Sequence, residues 1–268
     1  MNQVIKVRAS SWGSLFNCAY SWEGVHLLGI KSPSGPRALL GTAIHAGTAA
    51  FDTARVNGAP IDPVEAAEQM LQELRFPEYE VDWHGADITP KQAERTGLAL
   101  LSLYCTEVSP RYEFVAVEME TKPMLIDCGD GITIQLTGTL DRARIRKEND
   151  RIGISDVKTG GAAVVMGVAK TAPHRAQIGT YELLFEHTSG IAITAPADII
   201  GLRTKGAPEY GIGEITGARD LMVGTEDYPG LIQIGAQMFR SGLFPPNPQA
   251  HTCSQQYCPR WSSCPYHA

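Results

Sequence analysis

No apolar run in this 268-residue chain reaches the roughly 18 residues that a membrane span needs, because charge, glycine or proline interrupts each one. Lys6 and Arg8 are not followed by the apolar stretch of a secretory leader, so a cytoplasmic protein with no membrane partner is expected. Positive charge is short too: 23 Lys and Arg stand against 29 Asp and Glu, a formal net charge of −6. No global field marks a nucleic-acid partner, and any such partner must be held by a local patch. Cysteine is scarce where a disulfide framework would need it. Of the six cysteines, three crowd into the last sixteen residues, a distribution that suits a metal site better than staples spread through a small secreted domain. Repeats and low-complexity tracts are absent.

What is present suits one large globular domain or two small ones, with 43% hydrophobic residues to fill a core. The first hundred residues read as mostly helical. Ser10 and Ser11 are candidate N-caps before Leu15, Cys18, Ala19 and Trp22, and further helices are predicted over 38–55, 63–75 and 90–105. After Pro110 the period changes to 2. Strands are predicted around Tyr112–Val117, Ile132–Thr137 and Ile152–Lys158 as an antiparallel set, with Gly129-Asp130-Gly131 and Glu148-Asn149-Asp150 as turns. Gly160-Gly161 leads into a helix ending near His187. Strands at 198–203 and 210–216, a helix over 231–243 and a Pro-rich turn then precede the cysteine tail.

The strongest chemical signal is Gly138-Thr-Leu-Asp141-Arg142, with Asp156-Val157-Lys158-Thr-Gly160 beginning fifteen positions after Asp141. On a strand, residues i and i+2 share a face, so Asp156 and Lys158 project together and Asp141 on the adjacent strand can converge on them. Alone, such an Asp-x-Lys pair is most often a surface ion pair of little worth. With the second carboxylate it becomes a candidate site for Mg²⁺ or Mn²⁺, hard cations that take oxygen ligands, and the lysine can orient or deprotonate an attacking water. Cys253-x4-Cys258-x5-Cys264, with Cys18 far upstream, supplies four thiolates suited to a 4Fe-4S cluster or a tetrahedral zinc, and spacing alone does not choose. Cys105 and Cys128 lie among apolar residues and read as small buried hydrophobes.

The two aspartate motifs followed by Gln177-Ile-Gly-Thr-Tyr181 resemble the RecB-like branch of the PD-(D/E)XK nuclease superfamily, and Gly41-Thr-Ala-Ile-His45 is similar to its upstream Gly-x-x-x-His element. The resemblance implies an α/β restriction-endonuclease-like core, a central mixed sheet flanked by helices. By it, His45, Asp141, Asp156 and the Val157 carbonyl bind the metal, Lys158 is the catalytic lysine, and Gln177 and Tyr181 act beside the active site. Glu118 can support the metal from the first strand. The resemblance extends to iron-sulfur members of AddB, CRISPR-adaptation and phage-exonuclease type, which implies a 4Fe-4S cluster on Cys18, Cys253, Cys258 and Cys264. This chain departs from them in that their first two C-terminal cysteines are more often two apart. A cluster there would close most of the chain into a loop and restrict the unfolded state by roughly 5 kcal/mol, the mark of a structural staple.

The implied organisation is a single integrated domain: an N-terminal helical part over 1–110 carrying Cys18 and His45, a nuclease core over 111–245 and a cysteine tail over 246–268. DNA contact is expected from Arg142, Arg144, Lys170 and Arg175, with Arg146, Lys147, Arg151 and His174 nearby, while Trp12, Trp22, Tyr257 and Trp261 can stack on bases or pack around the cluster. The expected activity is DNA-end resection in recombination or repair, with or without a helicase partner, since no Gly-x-x-x-x-Gly-Lys-[Ser/Thr] motif occurs in the chain. A phage exonuclease fits that size. A spacer-trimming CRISPR-adaptation nuclease, a non-catalytic DNA-binding module and a zinc-stapled structural protein are the alternatives.

Overall fold

The structure is a computed structural model that describes residues 3–30, 34–60, 62–146 and 149–267. A strand precedes the first helix. β1 (Gln3–Arg8) buries Ile5 and Val7 and exposes the residues around them, an alternation too short to stand out from the helical pattern that follows. The helix expected after Ser11 is broken in two: α1 (Trp12–Asn17) and α2 (Ala19–His26) are separated by Cys18, whose φ of −155° and ψ of 96° are extended. The next three helices, α3 (Pro36–Val56), α4 (Pro63–Arg75) and α5 (Pro90–Leu103), each start at a proline. Proline there gives up only an N–H that has no helical partner. The Asp62 carboxylate accepts from the Val64 N–H at α4, and Thr89 and Gln92 form a reciprocal capping box at α5.

Five strands follow: β2 (Glu113–Glu120), β3 (Met124–Asp127), β4 (Ile132–Thr137), β5 (Thr139–Arg146) and β6 (Arg151–Gly160). The three strands read as one antiparallel set do not share a sheet. β4 pairs parallel with β1 and antiparallel with β3 in a small sheet of its own, because Ile132, Ile134 and Leu136 join Ile5, Val7, Trp12 and Trp22 in a separate core. The predicted helix after Gly161 is also delayed. A hairpin of β7 (Val164–Val165) and β8 (Val168–Ala169) intervenes, and α6 (Arg175–Ser189) starts at Arg175. β9 (Ala197–Arg203), β10 (Glu209–Ile215), α7 (Ala218–Val223) and α8 (Leu231–Ser241) complete the order. Lys147 and Glu148, read as part of a basic cluster and a turn, lie outside the described residues.

The main sheet runs β10-β9-β6-β5-β2, with β6 and β9 parallel and the other neighbours antiparallel. α6 makes the crossover that a parallel pair requires. Leu40, Ile44, Tyr104, Val157 and Ile200 form the core between one face and α3 and α5. Leu140, Ile154, Ile178, Phe185 and Ile199 form the core under α6 on the other. The result is an α/β fold with a mixed central sheet between helices. No helix among the described residues is long and apolar enough to cross a membrane.

Two arginines expected to contact DNA are inside this structure. Arg142 and Arg144 are 0% and 2% exposed. Arg142 Nε donates to Asp52 Oδ2 at 2.7 Å, and the same fully buried carboxylate accepts from Tyr104 Oη at 2.6 Å and Ser109 Oγ at 2.5 Å. Arg144 Nε donates to Ser155 Oγ at 2.9 Å, with its Nη2 2.8 Å from Asp198 Oδ2. Both side chains are satisfied by protein partners and out of reach of a phosphate, which corrects that assignment. Removing one member of a buried pair strands the other's charge. Asp52→Ala is therefore expected to cost about 3–5 kcal/mol, read as a lower urea midpoint. A loss below about 1 kcal/mol, the range of exposed pairs, would contradict that role.

Candidate active site

Asp141 and Asp156 stand opposite each other one step past the last β5–β6 ladder pair, Arg142 with Ser155. Beyond that point β6 is paired with β9 alone. The Val157 N–H donates instead to Asp141 Oδ2 at 2.9 Å, so the end of the ladder fixes the first carboxylate. Alternation brings Lys158 to the same side as Asp156, with Nζ 2.5 Å from Asp156 Oδ2. Burial pushes the Asp156 carboxyl up to about 6, against the pull of Lys158 and with a further push from Asp141. Burial alone would lower Lys158, but the carboxylates of Asp156 and Asp141 outweigh it and hold the ammonium above its usual range.

α3 brings His45 to this pair. A side chain at Gly41 would place its Cβ 2.7 Å from Thr159 Oγ1, so glycine is what lets the helix come this close to β6. One turn later, His45 Nδ1 lies 3.5 Å from Asp141 Oδ2. β2 contributes Glu118, a non-glycine residue at φ 45°, in the left-handed region that such residues rarely adopt. Its carboxylate accepts from Arg142 Nη1 at 3.2 Å, and burial followed by Asp141 raises its pKa.

On the open side, Gln177 Nε2 donates to Asp156 Oδ1 at 3.4 Å and to Tyr181 Oη at 3.1 Å, one helical turn apart on α6. Gly138 makes room for that turn, since a Cβ there would stand 2.9 Å from Tyr181 Cε1. His174, just before α6, is lowered to about 4 by burial and by the Lys158 ammonium. Lys170 is exposed and Arg175 half-buried on the approach to the same helix.

The donor set suits a hard divalent cation. His45, Glu118 and Asp141 can each bring one ligand atom within 4.8 Å of the others. Asp156 Oδ2 is buried without a well-directed hydrogen bond, although Lys158 stands close to it. Raised carboxyl pKa values express crowding of negative charge out of water, which a cation relieves. Glu118, a supporting residue in the sequence reading, thus falls in the tightest group, while Asp156 turns toward Lys158 and Gln177. Its position opposite Asp141, between the pairs Val117–Arg142 and Met119–Leu140, would have marked it had the register been known.

The cysteines meet elsewhere. Cys18, at the break between α1 and α2, lines one small cavity together with Cys253, Cys258 and Cys264. None of the six cysteines is in a disulfide bond. Cys253 Sγ lies 3.3 Å from His267 Nε2, whose ring stacks on Trp261. The tail is tied to α2 by Tyr20 Oη, which donates to the Ser263 carbonyl at 2.8 Å, and by Arg260, which pairs with Glu23 and lies over the Tyr20 ring. Cys105 is buried in the α3 core, whereas Cys128 is half-buried at the rim of the β1–β4 core.

A family model described as the PD-(D/E)XK nuclease superfamily matches residues 9–265. Among solved structures, that of a protein provisionally named an exonuclease, from Eubacterium rectale, is similar with a TM-score of 0.52 and 11% identity, over 92% of this chain and 86% of that one. At that identity the likeness is one of fold. No curated protein matches the sequence.

The crowded carboxylates predict stabilisation by metal. Mn²⁺ or Mg²⁺ at a hundredfold excess over Kd is expected to stabilise the protein by about 2.7 kcal/mol, read as a rise in Tm. Asp141→Asn should lose most of that rise, and an equal rise in both proteins would move the cation elsewhere.

Proposed function

The chain belongs to the PD-(D/E)XK nuclease superfamily, and on that premise we propose that it is a Mg²⁺- or Mn²⁺-dependent deoxyribonuclease of the RecB-like branch, an exonuclease that resects DNA ends in recombination or repair. The observation that carries the reading is the convergence of Asp141, Asp156 and Lys158 at the splayed end of two strands, with His45 and Glu118 closing the far side. His45, Asp141, Asp156 and the Val157 carbonyl are the proposed metal ligands, and Glu118 joins them. A divalent cation held there would supply Lewis-acid stabilisation of the phosphoryl oxygens and lower the pKa of the attacking water. Lys158 orients that water and neutralises charge on the scissile phosphate. Gln177 holds Asp156 through one amide N–H and Tyr181 through the same nitrogen, which keeps the first turn of α6 over the cleavage site. Recombination or helicase partners would deliver the ends.

The second part of the proposal is a 4Fe-4S cluster on Cys18, Cys253, Cys258 and Cys264, serving as a staple between the two ends of the chain. What supports the reading is that Cys18 and the three tail cysteines line one cavity, with the tail fastened to α2 by Tyr20 and Arg260.

Both parts are testable on anaerobically purified protein. Wild type should degrade end-labelled linear DNA but not closed circles in Mg²⁺ or Mn²⁺ and not in EDTA, and Lys158→Ala should lower the rate at least a hundredfold in protein that still unfolds in one cooperative thermal transition. Cleavage by Lys158→Ala at the wild-type rate would remove the site assignment, and no cleavage by folded wild type would favour a non-catalytic DNA-binding module. For the cysteines, visible absorption and bound iron are expected in wild type, with both iron and Tm reduced in Cys18→Ala. Full iron in that variant would exclude Cys18 as a ligand.

A further inference from the structure

A groove of about 1010 Å³ runs alongside the active-site helix, between α1 and the turn that enters α6. One wall is the outer face of α1, where Gly13, Phe16 and Asn17 recur at i, i+3 and i+4. Lys170, Pro173 and Arg175 form the opposite wall, and His251 closes it from the cysteine tail. Among the described residues no Asp or Glu lines it, in a chain whose formal net charge is −6.

Packing leaves two features at this groove unexplained. Phe16 remains 39% exposed although its ring stacks on buried Trp12, with centroids 6.2 Å apart and planes 12° from parallel. The Trp12 indole N–H is buried without a hydrogen-bond partner. Gly13 lies on the same wall, where a Cβ would stand at ordinary contact distance, 3.6 Å from the Pro173 carbonyl oxygen. Arg175 donates from Nη2 to the Thr216 carbonyl at 2.9 Å, and Lys170 is exposed.

A part-exposed aromatic ring and two cations, in a groove lined by no carboxylate among the described residues, are the pattern that holds single-stranded nucleic acid: bases stack on the ring and phosphates meet the cations. A duplex does not answer it, because its base faces are already covered by neighbouring pairs. The groove is also continuous with the chemistry. Arg175 and Ala176 line it, and the next residue, Gln177, donates to Asp156.

We propose that this groove seats the unpaired strand adjoining the scissile phosphate, with a base stacked on Phe16 and phosphates on Lys170 and Arg175. The assignment rests on the nuclease reading above and makes single-stranded DNA, or a frayed end, the substrate class.

Fluorescence anisotropy with labelled dT12, dT3 and a blunt 12-base-pair duplex, in Ca²⁺ in place of Mg²⁺, tests it on the whole protein. Wild type is expected to bind dT12 at least tenfold tighter than dT3. Phe16→Ala should lose about tenfold on dT12 with little change on dT3, and Phe16→Trp should restore it. Lys170→Gln should lower the slope of log affinity against log salt by about 0.7, the signature of one phosphate contact on a single strand. Unchanged dT12 affinity in both Phe16→Ala and Lys170→Gln overturns the groove while leaving the nuclease reading intact, provided that wild type cuts DNA. Equal sensitivity of the blunt duplex to Phe16→Ala overturns the unpaired strand as occupant. A wild type that neither binds nor cuts DNA removes the groove and the nuclease reading together.

Discussion

The buried pair between Asp52 on α3 and Arg142 on β5 is the contact on which the arrangement of the site depends. Asp52 lies seven residues, two helical turns, after His45, so the two share a face of α3. Arg142 directly follows Asp141 and donates from Nη1 to Asp141's own carbonyl at 2.7 Å. Fastening Asp52 to Arg142 therefore fixes how far α3 can slide along β5, and with it the distance from His45 to Asp141. The same guanidinium reaches Glu118, so the three side chains closest to a cation position are set by one arginine. Its role is that of a framework member carrying fixed charge, and the low dielectric around it makes the geometry hard to relax.

Against that rigid frame the site is built from close approaches. Gly41 admits α3 to Thr159, and Gly138 admits Tyr181 to the start of β5. The ladder between β5 and β6 stops one pair short of the acidic residues, which leaves the Val157 N–H to hold Asp141. The Asp156 carboxylate is held where water is scarce, at a cost the fold itself does not recover, as its raised pKa records. Strain at Glu118 belongs to the same pattern, a position held in a conformation its surroundings over-determine.

Much of this was legible in the sequence, for identifiable reasons. Asp141, Asp156, Lys158, Gln177 and Tyr181 lie in short motifs whose strand and helix periods decide which side chains share a face, and those periods are local properties. His45 was legible through its spacing from Gly41. Asp52 was not, because an aspartate in the middle of a helix carries no local mark of a partner ninety residues away. Arg142 and Arg144 were misjudged for the related reason that a basic run on a hairpin looks the same whether its alternate members face solvent or a core. β4 was placed in the wrong sheet because Ile132, Ile134 and Leu136 specify a buried face without specifying which neighbour covers it, and the partner, β1, buries only Ile5 and Val7 and so carries little pattern of its own.

The contacts between the tail and α2 set an order of events during synthesis. Tyr20 and Ser263 are 243 residues apart, and Cys18 faces a cavity whose other thiols come from the same late segment. At roughly 5–20 residues per second, a ribosome needs on the order of ten to fifty seconds between making the two sides. For that interval Cys18 and the aromatic face of α2 have no native cover, and the nascent chain carries an unprotected thiol past every oxidant and metal it meets. Residues made some 240 positions later are what cover these first helices.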